Sequence, residues 1–299
     1  AAVLLGFETL RNLTLSLKVF EIFQHDDGVA EDIDEAPAER IFNRTEFWKH
    51  SLGVATAAEL LAARARPEGG GGRGISPSDA FTCGLLHDVG KVAFDTAMPK
   101  SFARVVEAAI LTRGDVADVE RRVIGLDHAL AGKRLAEAWN LPPLLTETIW
   151  LHGAPPPAAM ASVAGASSKP GGLVSSPMIL LVGLADLIVR RQHIGFSGNF
   201  LFPFEPEQYA RPLGLTAEDL AHVTAALTDA LEQRARAIGL PTLESRQLYL
   251  HSIANANLEL GRVNQQLAQQ NRKLAARSGC FDLMARFYQR ITPAAGPGQ

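Results

Sequence analysis

The sequence contains little cysteine, and this limits the kinds of cross-link and metal site it can form. Cys83 and Cys280 are the only cysteines among its 299 residues, and no Cys-x-x-Cys spacing occurs. The composition therefore argues against a disulfide framework and against a thiolate zinc site. A chain of this length can bury a large core without such cross-links. We expect a globular protein of the reducing cytoplasm.

The sequence also lacks an excess of charge and any long hydrophobic run. Its formal net charge is −3 and its isoelectric point is about 6.3, which leaves no basic surface for a nucleic-acid backbone. The longest apolar runs, 1–5 and 177–189, are shorter than the roughly 20 residues that span a bilayer. We expect neither a nucleic-acid partner nor a membrane. The chain does not begin with methionine, so we expect a cut or processed start.

Apolar residues recur mostly at helical spacing, and no segment shows the alternation of a strand. This pattern predicts an all-α protein. A helix that begins at Pro77 would carry His87 and Asp88 and would end or bend at Gly90. Loops are expected at the segments rich in acidic residues, glycine or proline, which are 26–39, 69–74 and 153–176. The other predicted helices cover 1–23 (one or two helices), 42–65, 101–113, 116–139, 144–151, 178–191 and 216–238.

The stretch from Cys83 to Lys91 is mostly apolar but contains an adjacent imidazole and carboxylate, His87 and Asp88. Burying an ionised carboxylate without a partner costs on the order of several kcal/mol. Asp88 should therefore be paired or bind a cation, and the two side chains form a candidate metal pair. The alternative is a core histidine with satisfied hydrogen bonds beside an aspartate that caps a turn before Gly90.

Further groups that bind divalent cations lie in other helical segments. Asp186 lies deep in an apolar helix, where an ion pair with Arg190, four residues later, is the alternative to metal binding. Glu46 and His50 are four residues apart, so both project from one helical face. The remaining positions are His128, predicted in mid-helix, and His152, predicted near a helix end.

Five short motifs carry these side chains. In chain order they are Phe47-Trp-Lys-His50-Ser, Gly84-Leu-Leu-His87-Asp88-Val-Gly-Lys91, Gly125-Leu-Asp-His128, Leu151-His152 and Leu184-Ala-Asp186. This order resembles the HD superfamily of metal-dependent phosphohydrolases, and within it most closely the HDOD domain of bacterial signalling proteins. The resemblance covers about residues 1–200. It implies an HD-type helical bundle, and it implies that the first helices of the domain are absent from this chain.

The resemblance also implies a centre of one or two divalent ions. Mixed imidazole and carboxylate ligands favour iron, manganese, nickel or zinc over calcium or magnesium. Asp88 and Lys91 are the candidate catalytic residues: Asp88 would bridge two ions, and Lys91 would steady a phosphoryl oxygen unless it is an exposed lysine at a helix end. The positions of the four HD ligands are matched by His50, His87, Asp88 and Asp186. His128 and His152 match the additional ligands of two-metal HD-GYP phosphodiesterases, and Glu46 matches a further carboxylate that some of those enzymes have.

The chain departs from the HD-GYP enzymes in two places. Gly153 follows His152 where those enzymes have two consecutive histidines, and no Gly-Tyr-Pro motif follows His128. Both departures count against a second metal ion and against hydrolysis of cyclic dinucleotides. The expected function is therefore a bacterial signal-transduction module that keeps an HD metal site and acts by binding a ligand or a partner. The alternative is an active metal-dependent phosphohydrolase acting on a nucleotide or a cyclic dinucleotide, and a small phosphorylated ligand is a candidate partner.

A seven-residue repeat marks the C-terminal part of the chain. It predicts a parallel two-stranded coiled coil, and hence a homodimer, that connects to another signalling protein or to an output domain. A solvated helix packed on the domain is the alternative. The apolar positions of the repeat are Ile253, Leu260, Leu267 and Leu274, and its polar positions are Asn257, Asn264 and Asn271. The predicted regions are an HDOD-like domain over 1–212, a helical extension over 213–242, a coiled-coil helix over 243–290 and a disordered tail over 291–299.

Overall fold

The computed structural model describes residues 42–67, 74–112, 114–156, 176–199 and 204–237, together with isolated helical positions between 263 and 284. The chain separates into two compact units, Ala1–Leu248 and Tyr249–Gln299. The helices predicted over 1–23, the acidic connection, the glycine run and most of the C-terminal predictions lie outside the described residues. The predicted region boundaries at 212, 242 and 290 stay predictions.

All secondary structure in the described ranges is helical, which confirms the all-α prediction. None of the described helices is long and apolar enough to cross a membrane. The helices are α1 (Arg44–Ala62), α2 (Pro77–Leu86), α3 (Val89–Ala97), α4 (Pro99–Thr112), α5 (Val116–Val123), α6 (His128–Ala138), α7 (Pro143–Leu151), α8 (Ser176–Arg191), α9 (Pro206–Ala210) and α10 (Ala217–Ala237), with a 3₁₀ turn at Arg211–Leu213.

Helix α1 is the central element of the described core and packs against α2, α8 and α10. Small residues permit the close contact with α2: a Cβ on Gly84 would lie 2.8 Å from the Cα of Ala55. Large apolar side chains such as Phe47 and Leu61 fill the space around α1, and burial of each contributes about 1.5–3 kcal/mol. This packing fixes the position of His50, which is fully buried on the same helix.

The single helix predicted over 116–139 is wrong, because the chain forms two helices, α5 and α6, in this range. Gly125 lies between them with a φ of +96°, a conformation that favours glycine. Asp127 then caps α6, since its Oδ1 accepts a hydrogen bond from the backbone N–H of Leu130 at 2.9 Å. His128 is therefore the first residue of α6 and does not lie in mid-helix.

The helix predicted to carry His87 and Asp88 is also divided. Helix α2 ends before these two residues, α3 begins after them, and both lie in the turn between the helices. Gly90 does not end a helix but lies inside α3, where it faces α6. A Cβ at Gly90 would overlap the carbonyl oxygen of His128 and lie 2.8 Å from the amide nitrogen of Gly132. The glycine therefore allows α3 and α6 to approach, and this approach brings His128 close to Asp88.

We expect Gly90→Ala to lower the free energy of unfolding by about 1–3 kcal/mol, because the added methyl group must push α3 away from α6. Chemical denaturation followed by circular dichroism measures this change. Gly74→Ala is the matched control, since no atom lies within 4 Å of a Cβ built at Gly74. Equal unfolding free energies of the two variants would show that α3 and α6 do not need a glycine at their contact.

Candidate metal centre

The ends, turns and buried faces of six helices bring most of the predicted ligands together. Five of these side chains are buried, and the sixth, Asp186, is partly exposed, with 15% of its side-chain surface accessible. The cluster consists of His50 from α1, His87 and Asp88 from the turn between α2 and α3, His128 from the start of α6, His152 from the end of α7 and Asp186 from α8.

The Asp88 carboxylate lies in the middle of this cluster. Its Oδ1 is 3.3 Å from Nε2 of His128 and 3.4 Å from Nε2 of His152. Its Oδ2 is 3.3 Å from Nε2 of His87, and it accepts a hydrogen bond from Nζ of Lys91 at 2.5 Å. One carboxylate therefore faces three imidazole nitrogens at once.

Backbone carbonyls fix which ring nitrogen carries the proton in two of these histidines. Nδ1 of His87 lies 2.7 Å from the carbonyl oxygen of Gly84, and Nδ1 of His152 lies 3.0 Å from that of Ile149. Because a carbonyl oxygen can only accept, Nδ1 must donate, and Nε2 of the neutral ring is then an acceptor. An acceptor nitrogen and a carboxylate oxygen repel each other unless a proton or a cation lies between them.

The pKa directions favour a cation over a proton in this position. Burial lowers the pKa of His152 and of His50, and the nearby aspartates offset this only in part, so both rings are neutral at pH 7. Burial alone would raise the pKa of Asp88, but Lys91 and the surrounding histidines hold that pKa well below its usual range. An ionised carboxylate thus lies 3.4 Å from Nε2 of a neutral imidazole, that of His152.

A second carboxylate, Asp186, faces both His50 and Arg190. Its Oδ1 is 3.2 Å from Nε2 of His50, and its Oδ2 accepts a hydrogen bond from Nε of Arg190 at 2.9 Å. Burial would raise the pKa of Asp186, but Arg190 and then His50 lower it, so the group is ionised. The ion pair considered as an alternative to metal binding is therefore present, but it occupies only one oxygen and leaves the other directed at the cluster.

Four of the converging atoms have no hydrogen-bond partner within the described part of the chain: Nε2 of His50, Nε2 of His87, Oδ1 of Asp88 and Oδ1 of Asp186. Leaving a buried polar atom unpaired costs about 1–3 kcal/mol. The ligand atoms of His50, His87 and Asp186 lie within 4.8 Å of one another, as do those of His87, Asp88 and His152. These residues fit one or two divalent ions, and their mixed donors suit a transition metal.

Two other predicted site residues, Glu46 and Lys91, do not contribute atoms to these groups of candidate ligands. Glu46 lies on α1, but its Oε1 accepts a hydrogen bond from Nζ of Lys49 at 2.6 Å and its carboxylate is not among the converging atoms. Lys91 is only 2% exposed, so the alternative of an exposed lysine at a helix end is wrong. Its ammonium group contacts Asp88 directly, and it therefore belongs to the centre.

Glu120 contacts the centre although no sequence motif pointed to it. It is fully buried on α5, and its Oε2 accepts a hydrogen bond from the backbone N–H of His128 at 2.7 Å and lies 2.6 Å from Nδ1 of the same residue. Burial lowers the pKa of His128, but the carboxylates of Glu120 and Asp88 together more than offset this effect, and the pKa is raised. The sequence held one indication that Glu120 is buried: it lies four residues after Val116, so both side chains are on the same, buried face of α5.

A cavity of about 270 Å³ opens beside the cluster. It is several times larger than the roughly 30 Å³ that one molecule occupies in liquid water, so a small ligand can reach the candidate metal ligands. The residues that line it include Asp88, His128, His152, Asp186, Arg121 and Arg190.

Residues 1–155 match the family model of the HDOD domain. An uncharacterized protein from Treponema pallidum (strain Nichols) is 27% identical to this chain over 150 residues, which are 49% of the chain and 25% of that protein. The chain therefore spans about a quarter of the length of this curated relative.

Solved structures share the fold. An HDOD domain protein of unknown function from Geobacter sulfurreducens is 25% identical, with a TM-score of 0.55 over 78% of this chain and 71% of that one. A candidate signal transduction protein from Marinobacter aquaeolei VT8 is 18% identical, with a TM-score of 0.56 over 79% and 45% of the two chains. A candidate phosphohydrolase from Shewanella amazonensis SB2B is 21% identical, with a TM-score of 0.51 over 79% and 73%. Because the HDOD family model matches more than half of the 299 residues, this chain belongs to the HDOD family.

Proposed function

We propose that this HDOD chain is a metal-binding signal-transduction module of bacteria that acts by binding a small ligand or a protein partner. The observation that supports it most is the surroundings of Asp88, where three imidazole Nε2 atoms lie 3.3–3.4 Å from one carboxylate. In the neutral rings of His87 and His152, Nε2 is an acceptor, and it repels the carboxylate unless a cation lies between them. The donor types around Asp88 suit iron, manganese, nickel or zinc.

The proposed metal ligands form two groups that share a centre. When bound, a divalent ion supplies Lewis-acid chemistry toward a phosphoryl oxygen. Lys91 and Arg190 each hold one oxygen of an aspartate, so they orient the two carboxylates while leaving the other oxygen available. The first group consists of His50, His87 and Asp186, and the second consists of His87, Asp88 and His152, so His87 belongs to both. His128 lies beside the second group, with Nε2 3.3 Å from Oδ1 of Asp88.

The neighbouring cavity supports a phosphorylated small molecule as the ligand. Arg121 and Arg190 line this cavity beside the proposed ligands. A guanidinium group presents donors in a planar fork that matches phosphate oxygens. In the described structure these arginines pair with carboxylates, Arg121 with Asp118 and Asp127 and Arg190 with Asp186, so a bound phosphate would compete with those pairs.

A metal-dependent phosphohydrolase is the second candidate function. The observation that favours it is that Asp88, His128 and His152 themselves line the cavity, so a phosphoester in the cavity would lie against the proposed metal ligands. The absence of a second histidine at Gly153 leaves the second group with one imidazole fewer than the HD-GYP pattern. Binding without turnover is therefore the leading proposal.

We further propose that the C-terminal helix pairs with that of a second copy of the chain and passes a signal to another protein or an output domain. Leu267, Leu274 and Phe281 recur every seven residues, each is helical, and they are 50%, 62% and 71% exposed in the single chain. Large apolar side chains exposed at a heptad position are expected of one strand of a coiled coil. Asn271 lies in the complementary seam position, where asparagine fixes register.

Composition alone supports the remaining expectations. Two cysteines in the whole chain fit a cytoplasmic location. A net charge of −3 argues against a nucleic-acid partner. Both stay predictions.

Phosphorylated probes distinguish the two candidate functions. We expect manganese-loaded protein to bind inorganic phosphate, GMP or cyclic di-GMP in calorimetry without releasing product from bis(p-nitrophenyl) phosphate or cyclic di-GMP. Asp88→Ala should lose this binding while the helical circular dichroism is kept, and His222→Ala, at an exposed position, is the matched control. Steady product release by the wild-type protein, abolished by Asp88→Ala, would establish the hydrolase instead. Metal-loaded protein that neither binds nor hydrolyses these probes contradicts both candidates.

Sedimentation tests the proposed pairing of the C-terminal helices. We expect the wild-type chain to be a dimer at tens of micromolar and the double variant Leu267→Asp, Leu274→Asp to be a monomer, because two buried charges would face each other across the seam. Gln266→Asp combined with Lys273→Asp is the matched control, since these positions have the same seven-residue spacing but fall outside the seam of the repeat. A monomeric wild-type chain at this concentration would contradict the coiled coil.

A further inference from the structure

The surroundings of His128 differ from those of the other imidazoles around Asp88. His87 and His152 each follow the last residue of a helix, so the carbonyl oxygen three residues earlier lies within reach of Nδ1. His128 is instead the first residue of α6, and no helical turn precedes it to supply such a carbonyl. An acceptor for its Nδ1 must come from elsewhere in the fold.

Glu120 on α5 supplies that acceptor. Its Oε2 lies 2.6 Å from Nδ1 of His128 and accepts the backbone N–H of the same residue at 2.7 Å, across eight positions of the chain. The turn between the two helices is built around the same residue: the backbone N–H groups of Ile124 and Gly125 donate to the carbonyl oxygen of Glu120 at 2.7 and 3.3 Å. One carboxylate oxygen therefore holds both the start of α6 and the ring of its first residue.

Burial makes this carboxylate unusual. Glu120 is 0% exposed, and its Oε1 has no hydrogen-bond partner within the described ranges. Burying an ionised carboxylate costs on the order of several kcal/mol unless its partners compensate. Its neighbours on the buried face of α5 are Val116 and Val119, so an apolar side chain would suit this position better if packing were all that was required.

We infer that Glu120 is a positioning residue of the metal centre: it keeps the proton of His128 on Nδ1 and holds the ring so that Nε2 faces the cluster around Asp88. The inference rests on the proposed function, because it takes His128 as a ligand. A carboxylate partner on the second nitrogen fixes the tautomer of a metal-binding imidazole and makes it a better donor. Glu120 thereby accepts from Nδ1 of His128, as backbone carbonyls accept from Nδ1 of His87 and of His152.

Calorimetric titration with manganese tests the effect on metal binding. We expect Glu120→Ala to lower the affinity about 10–100-fold, and Glu120→Gln, which keeps an acceptor oxygen, to restore most of the loss. Asp118→Asn is the matched control, because Asp118 lies on the same helix with 53% of its side chain exposed. If Glu120→Ala does not fold, Glu120→Leu fills the same space without an acceptor and takes its place.

Nitrogen-15 NMR of the metal-free, histidine-labelled chain gives a readout that does not depend on metal. Spectra are recorded at a pH above the raised pKa of His128, so that the ring is neutral. The signal lost in His128→Ala identifies this ring, which should carry its proton on Nδ1 in the wild type and in Glu120→Gln, but on Nε2 or on both nitrogens in turn in Glu120→Ala. A purely structural role would lower the melting temperature of Glu120→Ala and leave tautomer and affinity unchanged, and this result overturns the inference. If the wild-type protein binds no manganese, the proposed function is refuted. The tautomer of His128 then still shows whether Glu120 positions that ring.

Discussion

At the centre of the first unit a buried carboxylate faces the Nε2 atoms of three imidazoles, and the surrounding fold holds these groups in place. Asp88 is kept ionised by Lys91, while backbone carbonyls keep the Nδ1 protons of His87 and His152 turned away from it. A buried carboxylate beside acceptor nitrogens is destabilised unless positive charge or hydrogen-bond donors compensate it. A lysine ammonium satisfies one carboxylate oxygen, and the other has no hydrogen-bond partner among the described residues. Divalent cations are the partners that these donor atoms fit.

Helix ends, more than helix faces, determine the geometry of this centre. His87 and His152 lie just beyond the last residues of α2 and α7, where the final carbonyls of the helix are available as acceptors. His128 begins α6, and the acceptor for its Nδ1 is the side chain of Glu120. The close contact of α3 with α6, which needs a glycine at position 90, then sets the distance between His128 and Asp88. Local backbone structure therefore supplies most of the orientation of the ligands.

The all-α class was readable from the sequence, because helical periodicity is a local property. The types and motifs of six of the seven predicted ligands also pointed to side chains that the fold brings together, while their role as ligands stays a prediction. The division of 116–139 into two helices was not readable, since the apolar pattern continues through Gly125 and the break depends on its positive φ. Glu120 was also missed: a single buried glutamate looks like any surface charge until the fold brings the start of α6 back to it. The spacing of Glu46 from His50 placed both residues on one helix, but it did not show that the Glu46 carboxylate pairs with Lys49.

Elemental analysis of the chain purified without chelator tests the central claim most directly. The centre described above predicts one or two equivalents of iron, manganese, nickel or zinc per chain. His87 contributes to both groups of ligand atoms, so His87→Ala should lose most of this metal while the exposed His222→Ala keeps it. Protein that is metal-free as purified and takes up none of these four ions on addition would contradict the claim, as would equal metal content in the two variants.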